Sequence, residues 1–173
     1  MRELGRPPTE KLVVRVGIVA HDAKKDELCL FARSHLALLE DLRISAPEDT
    51  ARVLEEAGLE VESLARDSHG GDLQIAASVV DGVIDAVIFV RDPLLQLSGE
   101  PSIDPMLKVC DLENVPIATN LAAAEILLRH LNDLRTLVAP SEKVPFEVFR
   151  PGRVVRMSNH PSRRGSRRRT ITP

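Results

Sequence analysis

Two short, nearly unbroken apolar runs constrain this chain more than anything else in it: "KLVVRVGIVA" at residues 11–20 and "IDAVIFV" at residues 84–90. β-Branched residues in such runs suit strands buried on both faces, and a strand buried on both faces needs a covering layer on each side. The intervening segments have the spacing to supply those layers. In "HDAKKDELCLFARSHLALLEDL", Leu28, Phe31, Leu38 and Leu42 fall three and four apart among charges, predicting one amphipathic helix with Asp22 as its cap. "LRISA" then reads as a strand, and "PEDTARVLEEAG" as a helix with Pro47 before its cap region and Gly58 as its stop.

The alternation continues through the strand "LEVESLA", the helix "GDLQIAASVVDG" and the strand of 84–90. After it come the helix "PMLKVCDLEN", the strand "VPIATN" and the helix "LAAAEILLRHL". Five strands separated by helices predict an α/β fold, a single doubly wound five-stranded parallel sheet with helices on both faces. The expected organisation is an N-terminal extension at 1–10, one α/β domain at 11–149 and an arginine-rich, disordered tail at 150–173.

Charge supports that division. Eight arginines and no acids follow Phe149, and subtracting those eight from the formal net charge of −3 leaves −11 on residues 1–149. The tail has no aromatic residue to stack on bases, so nucleic acid is not an expected partner except through this basic segment. No apolar run approaches the roughly 20 residues that span a bilayer, and "MRELGRPPTEK" lacks the apolar core of a secretory signal; a cytoplasmic location without membrane contact is expected. Cys29 and Cys110 lie in apolar helical patterns rather than in a Cys/His cluster, which predicts buried thiols and neither a disulfide nor a metal site.

In a parallel sheet, ligands bind at the carboxyl ends of the strands. That selects "AHDAK", "SAPEDT", "RDSHGGD", "VRDPL" and "ATN", and carboxylates occupy four of the five. Within "HGGDLQIAA", residues 69–77, two readings stand together: Gly70 and Gly71 as a turn before a helix capped by Asp72, or glycines that admit a ligand beside Asp72 as a base.

These loops, in this order, resemble the methylglyoxal synthase family over about residues 11 to 131. The pattern is carried by Ala20, His21, Asp22 and Lys25; by Gly70, Gly71, Asp72 and Gln74; by Asp92, Pro93 and Leu94; and by Pro116, Ala118, Thr119 and Asn120. The resemblance implies a lyase that converts dihydroxyacetone phosphate to methylglyoxal and phosphate with no metal or organic cofactor. It further implies a homo-oligomer, typically a hexamer, acting on a small phosphorylated or carboxylated metabolite. By resemblance Asp72 is the base, with Asp92, His21 and Asp22 around it. Lys25, Thr50, Arg66, Gly70 and Gly71 are the implied phosphate or substrate contacts.

Three segments depart from the family. A Thr-Gly-Thr-Thr-Gly phosphate cradle is replaced by Pro47, Glu48, Asp49, Thr50 and Ala51, and Ser-Gly-Pro by Arg66, Asp67 and Ser68. The family's histidine and aspartate in "HEPD" give way at Gly99, Glu100, Pro101 and Ser102, and losing one such donor costs on the order of a hundredfold in rate. Each carboxylate within about 4 Å of a phosphate dianion repels it by roughly 1 to 4 kcal/mol. The departures therefore keep a second function open, a non-catalytic ligand-binding or regulatory module such as the related domain of carbamoyl phosphate synthetase.

Overall fold

The computed structural model describes residues 13–94 and 101–137. Five strands, β1 (Arg15–Ala20), β2 (Arg43–Pro47), β3 (Val61–Leu64), β4 (Ala86–Val90) and β5 (Ile117–Ala118), form one sheet in the order β3-β2-β1-β4-β5. Every pairing is parallel. The helices are α1 (Lys25–Ser34), α2 (Leu36–Leu39), α3 (Glu48–Glu56), α4 (Gly71–Val80), α5 (Ile103–Glu113) and α6 (Leu121–Leu137). The expected N-terminal extension and arginine-rich tail lie outside the described residues.

The two apolar runs become neighbours. Val16 to Ala20 pair residue for residue with Ala86 to Val90, so the most buried strands occupy the middle of the sheet. Alternation sorts their side chains into two cores. Val16, Ile18, Ala20, Ala86, Ile88 and Val90 join Leu28, Leu54 and Leu128 from α1, α3 and α6 on one face. Val19, Val87 and Phe89 meet Ile75, Val79, Met106 and Cys110 from α4 and α5 on the other. Gly17 lies in the same run, where an added Cβ would stand 2.6 Å from Ile75 Cγ2 and 3.1 Å from Ile84 Cδ1. α4 therefore rests directly on the central strand.

Four local expectations are corrected. The first long helix breaks at His35, which leaves helical geometry (φ −121°, ψ 23°) and stacks on Phe31 at 4.2 Å, so the apolar stripe continues across a one-residue interruption. Asp22 does not cap that helix: it opens a short 3-10 turn, and Lys24 holds the N-cap of α1 with no side-chain cap bond. Pro47 ends β2 and is itself the residue before α3. Cys110 is buried, and desolvation pushes its thiol up to about 11, whereas Cys29 is only half-buried.

Candidate active site

The sheet places the five loops at one end. Because the chain winds outward from β1 to β2 and β3, then returns to the other side of β1 for β4, the strand order reverses between β1 and β4. Ligands of doubly wound proteins lie outside the carboxyl ends at such a point. His21 and Asp22 follow one of these strands and Arg91 and Asp92 the other.

His21 is 5% exposed and holds this crevice together. The Asp92 backbone N–H donates to its Nδ1 at 3.1 Å, which leaves the neutral ring's proton on Nε2, and Nε2–H donates to the Pro101 carbonyl at 3.0 Å. The imidazole thus ties the loop after β4 to the chain entering α5, with its edge on Phe89. The Asp92 carboxylate accepts from the Leu94 N–H at 2.9 Å, an Asx turn. Thr50 is fully buried, and its hydroxyl accepts from the Ala20 N–H at 3.3 Å, fastening α3 to the end of β1.

The glycine pair has a structural account at both positions. Gly70 is the N-cap of α4 in the left-handed region (φ +83°), and Gly71 lies so close to β3 that an added Cβ would stand 2.0 Å from the Ala65 carbonyl oxygen. The space beside Gly71 holds Ala65 and Pro47. Asp72 is then the second residue of α4, not its cap, and no side chain caps this helix. The residue as a whole is 8% exposed, and its carboxylate accepts no hydrogen bond among the described residues. A carboxylate at the head of a helix with no structural hydrogen bond to give up is a candidate base.

The remaining charges pair with one another. Lys25 bridges Asp22. Arg66 forks onto Glu48, with Nε and Nη2 at 3.0 and 3.1 Å from its two carboxylate oxygens, and Arg52 reaches Glu48 and Asp49 at 3.5 and 3.8 Å. The hydrogen-bonded Arg66 guanidinium holds the Glu48 carboxyl below the ordinary range. Asp67, in the 3-10 turn before Gly70, is the exception: its Oδ1 is buried with no hydrogen-bond partner, and desolvation raises its carboxyl to about 6. Lys25 opposes that rise, while Asp72, Asp49 and Asp22 add to it. These acids do not converge on a metal geometry: among the described residues, no group of three or more His, Cys, Asp or Glu is arranged to hold one.

The fold therefore gathers the loops bearing His21, Asp22, Lys25, Thr50, Arg66, Gly70, Gly71, Asp72 and Asp92 at one end. It turns His21 and Thr50 into internal ties, and it pairs Arg66 with Glu48 and Lys25 with Asp22. Gly99 and Glu100, where the family's histidine and its neighbour would fall, lie outside the described residues. Sequence reasoning missed the Glu48–Arg66 fork and the isolation of Asp67. The fork left a signal, because an acid and an arginine enter two separate departures from the family pattern together. Two cavities lie elsewhere: an apolar groove of about 330 Å³ between β5 and α6, and one of about 650 Å³ beneath the opposite end of the sheet. Neither is lined by these loop residues.

A doubly wound parallel sheet with helices on both faces, its carboxyl-end loops bearing paired lysine and arginine side chains beside Asp72, defines the chain as an α/β domain. No protein-family model matches the chain. Individual relatives do. The chain is 42% identical to a methylglyoxal synthase of Cupriavidus taiwanensis over 118 residues, 68% of this chain and 89% of that protein. It is 44% identical to one of Moorella thermoacetica over 121 residues, 69% of this chain and 94% of that protein. The crystal structure of methylglyoxal synthase from Elizabethkingia anophelis superposes with a TM-score of 0.65 at 30% identity, covering 67% of this chain and 77% of that one. The chain belongs to the methylglyoxal synthase family.

Proposed function

We propose that this protein is a divergent methylglyoxal synthase, a carbon–oxygen lyase that eliminates phosphate from dihydroxyacetone phosphate and forms methylglyoxal. The observation that carries the reading is Asp72, a largely buried residue at the head of α4 whose carboxylate accepts no hydrogen bond among the described residues, retained in a chain whose neighbouring phosphate loops have been rebuilt. Asp72 takes a proton from the hydroxymethyl carbon, and the electron pair moves onto the carbonyl oxygen. The resulting enediolate expels phosphate from the adjacent carbon. Lys25 draws the phosphate end, exchanging Asp22 for the ligand, and Arg66 contributes once it leaves Glu48. His21 and Asp92 shape the crevice. The enzyme acts without metal or organic cofactor, as a cytoplasmic homo-oligomer, with a hexamer the form implied by the family.

The Glu48–Arg66 fork favours a second reading, a regulatory module that binds a small metabolite without turnover, because the cation nearest the lost cradle is already satisfied. Incubating the purified protein with dihydroxyacetone phosphate and quantifying methylglyoxal and phosphate distinguishes the two. Equal release of both products is expected. Binding of the substrate with neither product released would replace the synthase with the module.

A further inference from the structure

Elimination of phosphate poses a proton problem that this chain must solve differently from the family pattern. When the carbon–oxygen bond breaks, the electron pair goes to the bridging oxygen, and a phosphate monoester dianion would leave as a trianion unless that oxygen is protonated. The usual donors are depleted here: Glu48 and Asp49 replace hydroxyl or glycine positions, and Thr50 is fully buried. Arg66 is engaged by Glu48. Asp67 stands in the turn where the family pattern has glycine, within the electrostatic field of Lys25 and Asp22 before and within α1, Asp49 on α3 and Asp72 on α4. One of its oxygens is buried and bonded to nothing.

We propose that Asp67 is the general acid of this site: its neutral carboxyl donates a hydrogen bond to the phosphate end of the substrate and passes that proton to the bridging oxygen as the carbon–oxygen bond breaks. The assignment rests on the synthase reading above. Three lines of physical chemistry converge on it. A buried carboxyl oxygen with no partner demands either a proton or a donor from a ligand, and an anionic ligand supplies no donor. Two neighbouring carboxyls that repel each other divide their roles, one ionised and one neutral, so an ionised Asp72 as base favours a neutral Asp67 as acid. Burial holds Asp67 at about 6, close enough to neutrality for the proton to be both present and transferable.

The protons balance. Asp72 gains one from carbon, Asp67 loses one to the departing oxygen, and phosphate leaves as the hydrogen phosphate dianion. The enol left behind tautomerises to methylglyoxal without net gain or loss, and the site resets when the proton on Asp72 is returned through solvent to Asp67.

Sulfate is a suitable probe, because it stays a dianion across the whole range in which Asp67 titrates. For the natural protein, calorimetric titration should show sulfate binding weakening above about pH 6, approaching tenfold per unit. Asp67→Asn keeps a donor but cannot release a proton, so its sulfate affinity should be flat over that range and exceed that of the natural protein at pH 8. Its methylglyoxal production should fall by on the order of a hundredfold. Asp67→Gly, the residue of the family pattern, should also give a flat profile, and provides a second variant if the asparagine protein is unstable. Identical sulfate profiles in the natural and variant proteins, or undiminished turnover in Asp67→Asn, would overturn the proposal. If the natural protein releases no methylglyoxal at any pH, the synthase reading fails, and the general-acid role falls with it. The sulfate profiles then separately report whether Asp67 carries the proton that admits an anion.

Discussion

Asp72 and Glu48 show how much a single side chain's surroundings decide. Asp72 neither caps α4 nor accepts a hydrogen bond, and it shares the field of Asp67, so replacing it with asparagine removes a base without removing a structural bond. Turnover by Asp72→Asn should drop by at least about a hundredfold while its melting temperature holds or rises; a large loss of melting temperature would return the residue to a structural role. Glu48 is a built-in anion for Arg66. Glu48→Gln should therefore strengthen phosphate binding in calorimetric titration and make it more sensitive to added salt, as expected when an exposed guanidinium is released to the ligand. Unchanged affinity would mean that Arg66 does not face the bound anion.

The elements translate these side-chain facts into positions. The turn from β3 into α4 depends on two glycines for different reasons, which separates their substitutions. Gly70→Ala carries the cost of a left-handed backbone, roughly 1–2 kcal/mol, whereas Gly71→Ala drives a methyl group into the Ala65 carbonyl and should cost about 2–3 kcal/mol or more. Denaturant unfolding of the two variants tests that order. The strands and helices themselves were legible in the sequence, because strands buried on both faces and helices with one apolar face leave different periods. The break at His35 was not, since a one-residue interruption preserves the apolar stripe on either side. Nor was the true head of α4: the pattern of apolar residues places a helix near 72 but cannot distinguish a capping aspartate from a second-position aspartate preceded by a left-handed glycine.

At the scale of the whole molecule, the parallel doubly wound sheet was accessible from alternation, but the charge map of its carboxyl end was not. That map depends on which residues from β2, β3 and the loops arrive beside one another, as Glu48 and Arg66 do from 18 positions apart. The same map governs stability against pH. The folded Asp67 carboxyl lies near 6 and the unfolded one near the ordinary aspartate value of 3.8, so the native state binds a proton first as pH falls. Its contribution is fully present below the unfolded value and lost as pH rises through about 6. Glu48, held low by Arg66, acts in the opposite sense and loses its contribution as acid protonates it. Asp67→Asn should thus raise the unfolding free energy at pH 7.5 by on the order of 1 kcal/mol after allowance for solvent screening, seen as a higher melting temperature, and leave it nearly unchanged at pH 4. Equal shifts at both pH values would show that burial of the ionised carboxyl is not what the substitution relieves.

Gly17 sets the height at which Asp72 stands above the sheet. Ile75 follows Asp72 by three residues on the same side of α4, and it is Ile75 that descends onto the bare backbone of β1. The middle of the sheet therefore works as a spacer for the chemistry at its end. A methyl group at Gly17 would press on Ile75 of α4 and on Ile84 in the loop after it and alter no charge, yet it would lift the helix and carry the carboxylate with it. The position of the base is thus set from within the core, by a residue that lies outside the site.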